Sequence, residues 1–110
     1  MLFRSQFDYQ HDALAQRTIQ SLATTPALGY AESCRALAQA DLSTQIQQIQ
    51  IPTLVIAGAF DPVTTVADGV FMQQQIQKSE LAVIDASHLS NIEQPELFTQ
   101  TLSQFIGSLQ

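Results

Sequence analysis

Two short, largely apolar runs in the second half of the chain, residues 53–58 and 80–85, constrain the fold more than any other feature. Neither run alternates apolar with polar residues, and such continuous runs are typical of parallel strands covered on both faces. Each run is followed by a polar loop and then by a helical pattern, over residues 66–77 and from Pro95 onwards. This order predicts a βαβα unit with two parallel strands, and therefore an α/β fold class.

The first half of the chain shows helical rather than strand patterns. Leu14, Ile19 and Leu22 lie roughly on one face of a helix within residues 1–25. Pro26 ends that segment, because proline interrupts the hydrogen bonding of a helix interior.

Two more helical segments are predicted before the first strand. Residues 27–40 carry apolar side chains at helical spacing, and Cys34 among them is expected to be a small buried apolar residue. Asp41 is placed to cap a third, short helix that ends before Pro52. The first half of the chain is therefore expected to be all helical.

Composition excludes several classes of function. The chain has 110 residues, enough for one modest domain, and a net charge of −6 with only 4 basic side chains. These are scattered singly, which argues against binding to nucleic acid or to an anionic membrane surface. A single Cys excludes an intramolecular disulfide and a zinc site built on several cysteines. The two His and the scattered carboxylates lack the spacing of metal ligands, so no metal site is expected. No run approaches the roughly 20 apolar residues of a membrane span, and no signal peptide is visible, so a cytoplasmic protein is expected.

Asp61 and His88 are the two residues placed to carry chemistry. Each comes just after the carboxyl end of a predicted strand, and ligands of parallel sheets bind at that edge. A carboxylate that accepts a hydrogen bond from one ring nitrogen of a histidine fixes its tautomer, so that the other nitrogen can take a proton from a nucleophile.

Each of these residues also has a purely structural interpretation. Asp61 precedes Pro62, and aspartate often caps a turn at such a position. His88 is compatible with a surface histidine or with one held in a structural hydrogen bond. Spacing alone does not decide between the catalytic and the structural interpretations.

The amino-acid sequences of the two loops resemble those of the α/β-hydrolase superfamily. Residues 51–63, Ile-Pro-Thr-Leu-Val-Ile-Ala-Gly-x-x-Asp-Pro-Val, resemble its late strand and acid loop. Residues 86–98, Ala-Ser-His-Leu-Ser-Asn-Ile-Glu-Gln-Pro-Glu-Leu-Phe, resemble its histidine loop and last helix. Within the superfamily, this second stretch is most similar to the 3-oxoadipate enol-lactonases of aromatic catabolism. Residues 29–42 are similar to the end of the helical cap in those enzymes.

This resemblance implies roles for individual residues. Asp61 matches the acid of a catalytic triad and His88 its base, while Glu93 and Pro95 match positions that shape the histidine loop and begin the last helix. The implied reaction is the hydrolysis of a carboxylic ester or lactone through a serine nucleophile, without metal or cofactor. Other esterases and the C–C bond hydrolases share much of this sequence pattern and remain alternatives.

The nucleophile of such a triad is missing from these 110 residues. The family's serine lies in G-x-S-x-G on a strand-to-helix turn, and no serine here lies between two glycines at that spacing. We therefore expect a C-terminal fragment of an α/β-hydrolase fold, with a helical cap remnant over residues 1–50 and the βαβα part of the core over residues 51–110. Alone it should be inactive.

A genuine small protein that reuses this architecture as a binding or interaction module is the alternative. In either case two parallel strands would leave unpaired edges, so the isolated chain is expected to be marginally stable or to self-associate through them.

Overall fold

A computed structural model describes residues 2–110 of the chain. Within them, seven helices and strands follow one another, with a single turn of 3₁₀ helix at Ile46–Gln48 before the first strand. In chain order they are α1 Ala13–Ala23, α2 Ala27–Gln39, β1 Thr53–Gly58, α3 Val66–Gln75, β2 Ser79–Ile84, α4 Ser90–Glu93 and α5 Pro95–Ser108.

Strands β1 and β2 pair in parallel and in step, from Thr53 opposite Ser79 to Gly58 opposite Ile84. The βαβα order and the parallel pairing predicted from the sequence are confirmed, and the bounds of β1 agree with the predicted ones. Strand β2 begins and ends one residue earlier than expected. Because the strands end at the same level, the loops that follow them start side by side.

Helix α3 covers one face of this sheet at close range. A β-carbon built on Gly69 would lie 3.0 Å from the Leu81 side chain and 3.3 Å from that of Ala57, so a glycine allows the helix to approach the strands. The capping box of Thr65 and Asp68 fixes where α3 begins, through reciprocal hydrogen bonds between side chains and backbone. Gly69, which weakens the helix prediction by its low propensity, is therefore explained by packing.

Helix α5 lies against the opposite face, where Leu54, Ala82, Thr101 and Phe105 line a common cavity of about 230 Å³. The expectation of complete burial on both faces holds better for β1 than for β2. Val55 and Ala57 of β1 are buried, whereas Val83 of β2 is about half exposed.

The start of the chain and helix α1 pack against the second half. Phe3, Ala15 and Ile92 form a buried cluster, and Ile19 packs partly against it. The predicted apolar face of this helix is therefore only partly right. Leu14 and Leu22 are substantially exposed, because the helix makes its contact through the small side chain of Ala15.

Helix α2 forms as expected but buries none of its residues against the rest of residues 2–110. The expectation that Cys34 is buried is wrong, since the thiol lies on an exposed helix surface. Leu28 and Leu37 on the same helix are about three-quarters exposed. Local composition makes the helix apolar, but no described element covers it.

The third helix predicted after Asp41 is also wrong. The Asp41 carboxylate accepts a hydrogen bond from the backbone N–H of Ser43 at 3.0 Å, which closes a local turn rather than starting a helix. Only the three-residue turn at Ile46–Gln48 follows.

The helices formed by residues 2–110 do not include any that combines the length and the apolar character needed to cross a lipid bilayer.

Candidate active site

Asp61 lies in the loop that links β1 to α3, and its carboxylate accepts hydrogen bonds on both oxygens. Oδ1 accepts from the backbone N–H groups of Val63 at 2.9 Å and Thr64 at 3.2 Å. Oδ2 accepts from the Thr64 hydroxyl at 2.6 Å and lies 2.7 Å from Nδ1 of His88. The turn-capping role that the sequence allowed is therefore present together with the contact to the histidine.

His88 lies in the loop that links β2 to α4, beside the loop of Asp61. Its side chain is 45% exposed, whereas that of Asp61 is only 4% exposed. Nδ1 contacts the buried carboxylate, and Nε2 makes no hydrogen bond to any residue from 2 to 110. The imidazole is thus held at one nitrogen and accessible at the other, the arrangement required of a general base.

The hydrogen bonds around Asp61 keep its carboxylate ionised. Burial alone would raise the pKa of this group, but the Thr64 hydroxyl, His88 and the two backbone N–H groups together outweigh that effect. They hold the pKa of Asp61 well below its usual range. The ionised carboxylate can only accept, so Nδ1 of His88 is the donor in the hydrogen bond between them.

An ion pair between Arg4 and the buried Glu93 holds the backbone of the histidine loop, which links β2 to α4. Glu93 has a side chain that is 0% exposed, and its Oε2 accepts from the backbone N–H of Ser87 at 2.7 Å and of Arg4 at 3.3 Å. Its Oε1 lies 3.1 Å from Nε of Arg4, and Arg4 also reaches Asp85 at 2.9 Å. The residue immediately before His88 is therefore fixed by a carboxylate that needs the arginine as its counter-ion.

The residue after His88 is fixed by the N-terminal segment that also contains Arg4. The backbone N–H of Leu89 donates to the carbonyl oxygen of Leu2 at 3.1 Å. The family resemblance implies that Glu93 shapes this loop, but it assigns no role to Arg4. A contact between residues 89 positions apart leaves no local signal, although a lone Arg beside Phe3 in a chain with few cations was a visible feature.

Thr64 was also missed as part of the site, although the sequence places it three positions after Asp61. Hydroxyl side chains this close to an aspartate commonly bond to it, so the spacing carried a usable signal. None of the side chains that could replace the missing serine lies in a G-x-S-x-G turn. Ser87 and Ser90 are buried beside the histidine, and Cys34 is on the distant helix α2.

Gly58 lets the two loops approach each other backbone to backbone. A β-carbon at this position would lie 2.2 Å from the carbonyl oxygen of Ser87 and 2.7 Å from that of Ala86. The N–H of Phe60 also donates to the carbonyl of Ala86 at 3.0 Å. The separation between Asp61 and His88 therefore depends on the absence of a side chain here.

Substitution of this glycine tests that dependence. We expect Gly58→Ala to lower the free energy of unfolding by about 3 kcal/mol, because the added carbon meets backbone atoms that cannot rotate away. Gly29→Ala is the matched control, since a β-carbon there meets nothing within 4 Å and the residue lies in helix α2. Urea unfolding of both variants checks the prediction. Equal unfolding midpoints for Gly58→Ala and the wild type would contradict it.

A cavity of about 300 Å³ opens beside the site, lined by β1 together with Asp61, Thr64, Met72 and His88. Residues of α3 contribute to its lining, and no residue of β2 does. Among residues 2–110, no three His, Cys, Asp or Glu side chains are grouped so that they could hold a metal ion.

Comparison with known proteins identifies what this arrangement is similar to. A sequence profile described as "alpha/beta hydrolase fold" matches residues 8–95. Two curated relatives come from Acinetobacter baylyi. The chain is 63% identical to 3-oxoadipate enol-lactonase 1 over 98% of its own length, and 52% identical to 3-oxoadipate enol-lactonase 2 over 81%.

A solved structure agrees with these relatives. The enol-lactonase from Burkholderia xenovorans LB400 superposes on 96% of the chain with a TM-score of 0.90 at 32% identity. In each comparison the match occupies only part of the other protein. The chain spans 41% and 33% of the two curated relatives and 40% of the solved chain.

Proposed function

This chain belongs to the α/β-hydrolase fold family, and we propose that it carries the acid and the base of the catalytic triad of a 3-oxoadipate enol-lactonase. The observation that carries the proposal is the 2.7 Å contact between Nδ1 of His88 and Oδ2 of Asp61. It occurs in a chain that is 63% identical to an enol-lactonase over nearly its whole length.

The proposed chemistry assigns each side chain one task. Asp61 orients the imidazole and stabilises the imidazolium that forms. Nε2 of His88 takes the proton of a serine hydroxyl as that oxygen attacks the lactone carbonyl. The ring then opens to an acyl-enzyme as His88 gives this proton to the leaving ring oxygen, and the neutral imidazole activates the water that releases the acid.

The serine of this proposed reaction is not among these 110 residues, which also contain no glycine-rich segment after a strand to supply oxyanion donors. No G-x-S-x-G occurs in the sequence. An acid and a base without a nucleophile lack the attacking atom, and without oxyanion donors they also lack a large electrostatic contribution to catalysis. We propose that residues 1–50 correspond to the end of a helical cap and residues 51–110 to the last part of the hydrolase core.

A segment exchange tests this function. In the swap protein, this chain replaces the matching segment of 3-oxoadipate enol-lactonase 1 from A. baylyi. We expect the swap protein to hydrolyse 3-oxoadipate enol-lactone with a kcat/KM within about tenfold of the unaltered enzyme, because the two segments are 63% identical. The 110-residue chain alone should show no hydrolysis of lactones or simple esters above background.

The outcomes of this assay separate the possible functions. A folded swap protein that hydrolyses simple esters but not the enol-lactone would support the hydrolase function and exclude the lactonase function. A folded swap protein without any hydrolysis would contradict the proposed function and favour a binding module. Turnover by the chain alone, lost on His88→Ala, would show that these residues contain a nucleophile of their own.

We propose further that the isolated chain associates with itself through its strand edges. Within residues 2–110 the sheet has only two strands, so each has one edge without a partner strand. Sedimentation should give a mass above the 12.1 kDa of one chain, rising with concentration. Val83→Lys, which puts a charge at a half-exposed position of strand β2, should reduce association, whereas Val63→Lys in a loop should not. A mass of one chain at every concentration would contradict the proposal.

A further inference from the structure

Thr64 contacts both members of the Asp61–His88 pair. Its hydroxyl oxygen lies 2.6 Å from Oδ2 of Asp61 and 3.3 Å from Nδ1 of His88. Its backbone N–H donates to Oδ1 of the same carboxylate at 3.2 Å. One residue therefore touches both carboxylate oxygens and the imidazole.

The direction of each hydrogen bond follows from these distances. Nδ1 of His88 and Oδ2 of Asp61 are 2.7 Å apart, and an ionised carboxylate can only accept, so Nδ1 carries the proton between them. A protonated Nδ1 cannot accept from Thr64. The Thr64 hydroxyl must then donate to Oδ2, which accepts two bonds and has both lone pairs occupied.

We propose that Thr64 is a positioning residue that fixes the rotation of the Asp61 carboxylate, so that Oδ2 faces Nδ1 of His88. This inference rests on the proposed function of the pair. Backbone N–H groups anchor Oδ1 from one side, and the Thr64 hydroxyl anchors Oδ2 from the other. A carboxylate held at both oxygens presents one fixed acceptor to the imidazole, which thereby stays in the tautomer with a free Nε2.

The identity of this residue matters for two reasons. The hydroxyl supplies the donor to Oδ2, and the β-branched side chain of threonine restricts its rotation more than that of serine. The neighbouring Thr65 does not share the task. Its hydroxyl bonds to Asp68 at the start of helix α3, at 2.9 Å.

Few other ionisable groups can influence the site. His88 and Asp68 are the titratable side chains that line the cavity together with Asp61. The Asp68 carboxylate is occupied by the backbone N–H of Thr65 at 2.7 Å and by the Thr65 hydroxyl. A change in the titration of Asp61 on substitution of Thr64 can therefore be assigned to the lost hydroxyl.

The test is a carbon-13 NMR titration of the Asp61 carboxyl in the 110-residue chain, with the Nδ1 proton of His88 observed in parallel. Thr64→Val removes the donor and keeps the shape of the side chain, and Thr64 is exposed, so the methyl group has room. We expect Asp61 to titrate about one pH unit higher in Thr64→Val than in the wild type. The Nδ1 proton should exchange faster with water.

Two further variants complete the design. Thr64→Ser should restore most of the wild-type titration, because the hydroxyl returns. Thr101→Val should change nothing at the site, because its hydroxyl donates to the carbonyl of Leu97 within helix α5. Thr64→Ala removes the hydroxyl without added carbon, and it replaces Thr64→Val if that variant does not fold.

Three results would overturn the inference. They are an unchanged titration of Asp61 in the variants without the hydroxyl, a failure of Thr64→Ser to restore it, and a wild-type Asp61 that titrates at its ordinary value. The activity of the swap protein does not enter this readout. An unchanged titration of Asp61 would therefore reject the positioning role of Thr64 without rejecting the proposed lactonase function. The role of Thr64 can likewise be measured whether or not the swap protein is active.

Discussion

Replacing His88 by alanine in the swap protein should lower kcat by about four orders of magnitude or more. Among residues 2–110, the imidazole is the only side chain that contacts the buried acid and has an accessible second nitrogen. Asp61→Asn should cost a similar factor, because an amide in place of the carboxylate favours the wrong tautomer of His88. Steady-state kinetics on 3-oxoadipate enol-lactone measure both effects.

The second histidine of the chain is the matched control for this experiment. His11 is 82% exposed and pairs with Asp8 on the surface. His11→Ala should leave kcat and KM unchanged. If a folded His88→Ala variant kept more than a tenth of the activity, His88 would not be the base of the reaction.

Arg4→Ala should lower the free energy of unfolding of the chain by about 3 kcal/mol or more, the second large effect expected here. The substitution leaves the fully buried Glu93 carboxylate without its counter-ion. Since domains of this size are stable by only about 5–15 kcal/mol, the loss removes a large share of the total. Chemical unfolding followed by circular dichroism gives the measurement.

Arg17→Ala is the control for the loss of a positive charge. Arg17 is exposed on helix α1 and forms no ion pair with any of residues 2–110. Its removal should leave the unfolding midpoint unchanged. Equal midpoints for Arg4→Ala and Arg17→Ala would show that the buried pair contributes nothing to stability.

The sequence was sufficient to predict the arrangement of Asp61 and His88. Continuous apolar runs predicted parallel strands, and parallel strands bring the loops at their carboxyl ends together. Both residues therefore had to come near each other once the strands paired in step. The same argument could not give the hydrogen bond itself, which depends on Gly58 letting the loops approach.

Other features depended on contacts that a local pattern does not contain. Cys34 lies in an apolar stretch, yet whether that stretch is buried is decided by what packs on it, and nothing among the described residues does. Asp41 has the chemistry of a helix cap, but its carboxylate bonds two residues ahead and closes a turn. The pairing of Arg4 with Glu93 joins opposite ends of the chain.

The distances along the chain also suggest an order of assembly. The contact of Asp61 with His88 closes a loop of 27 residues, whereas that of Arg4 with Glu93 closes one of 89. Closing a longer loop costs more chain entropy, so contacts between nearby residues form more readily. We expect the paired strands to form first and the N-terminal segment to dock afterwards. The contacts of Arg4 with Glu93, which hold the histidine loop, would then be among the last in the molecule to form.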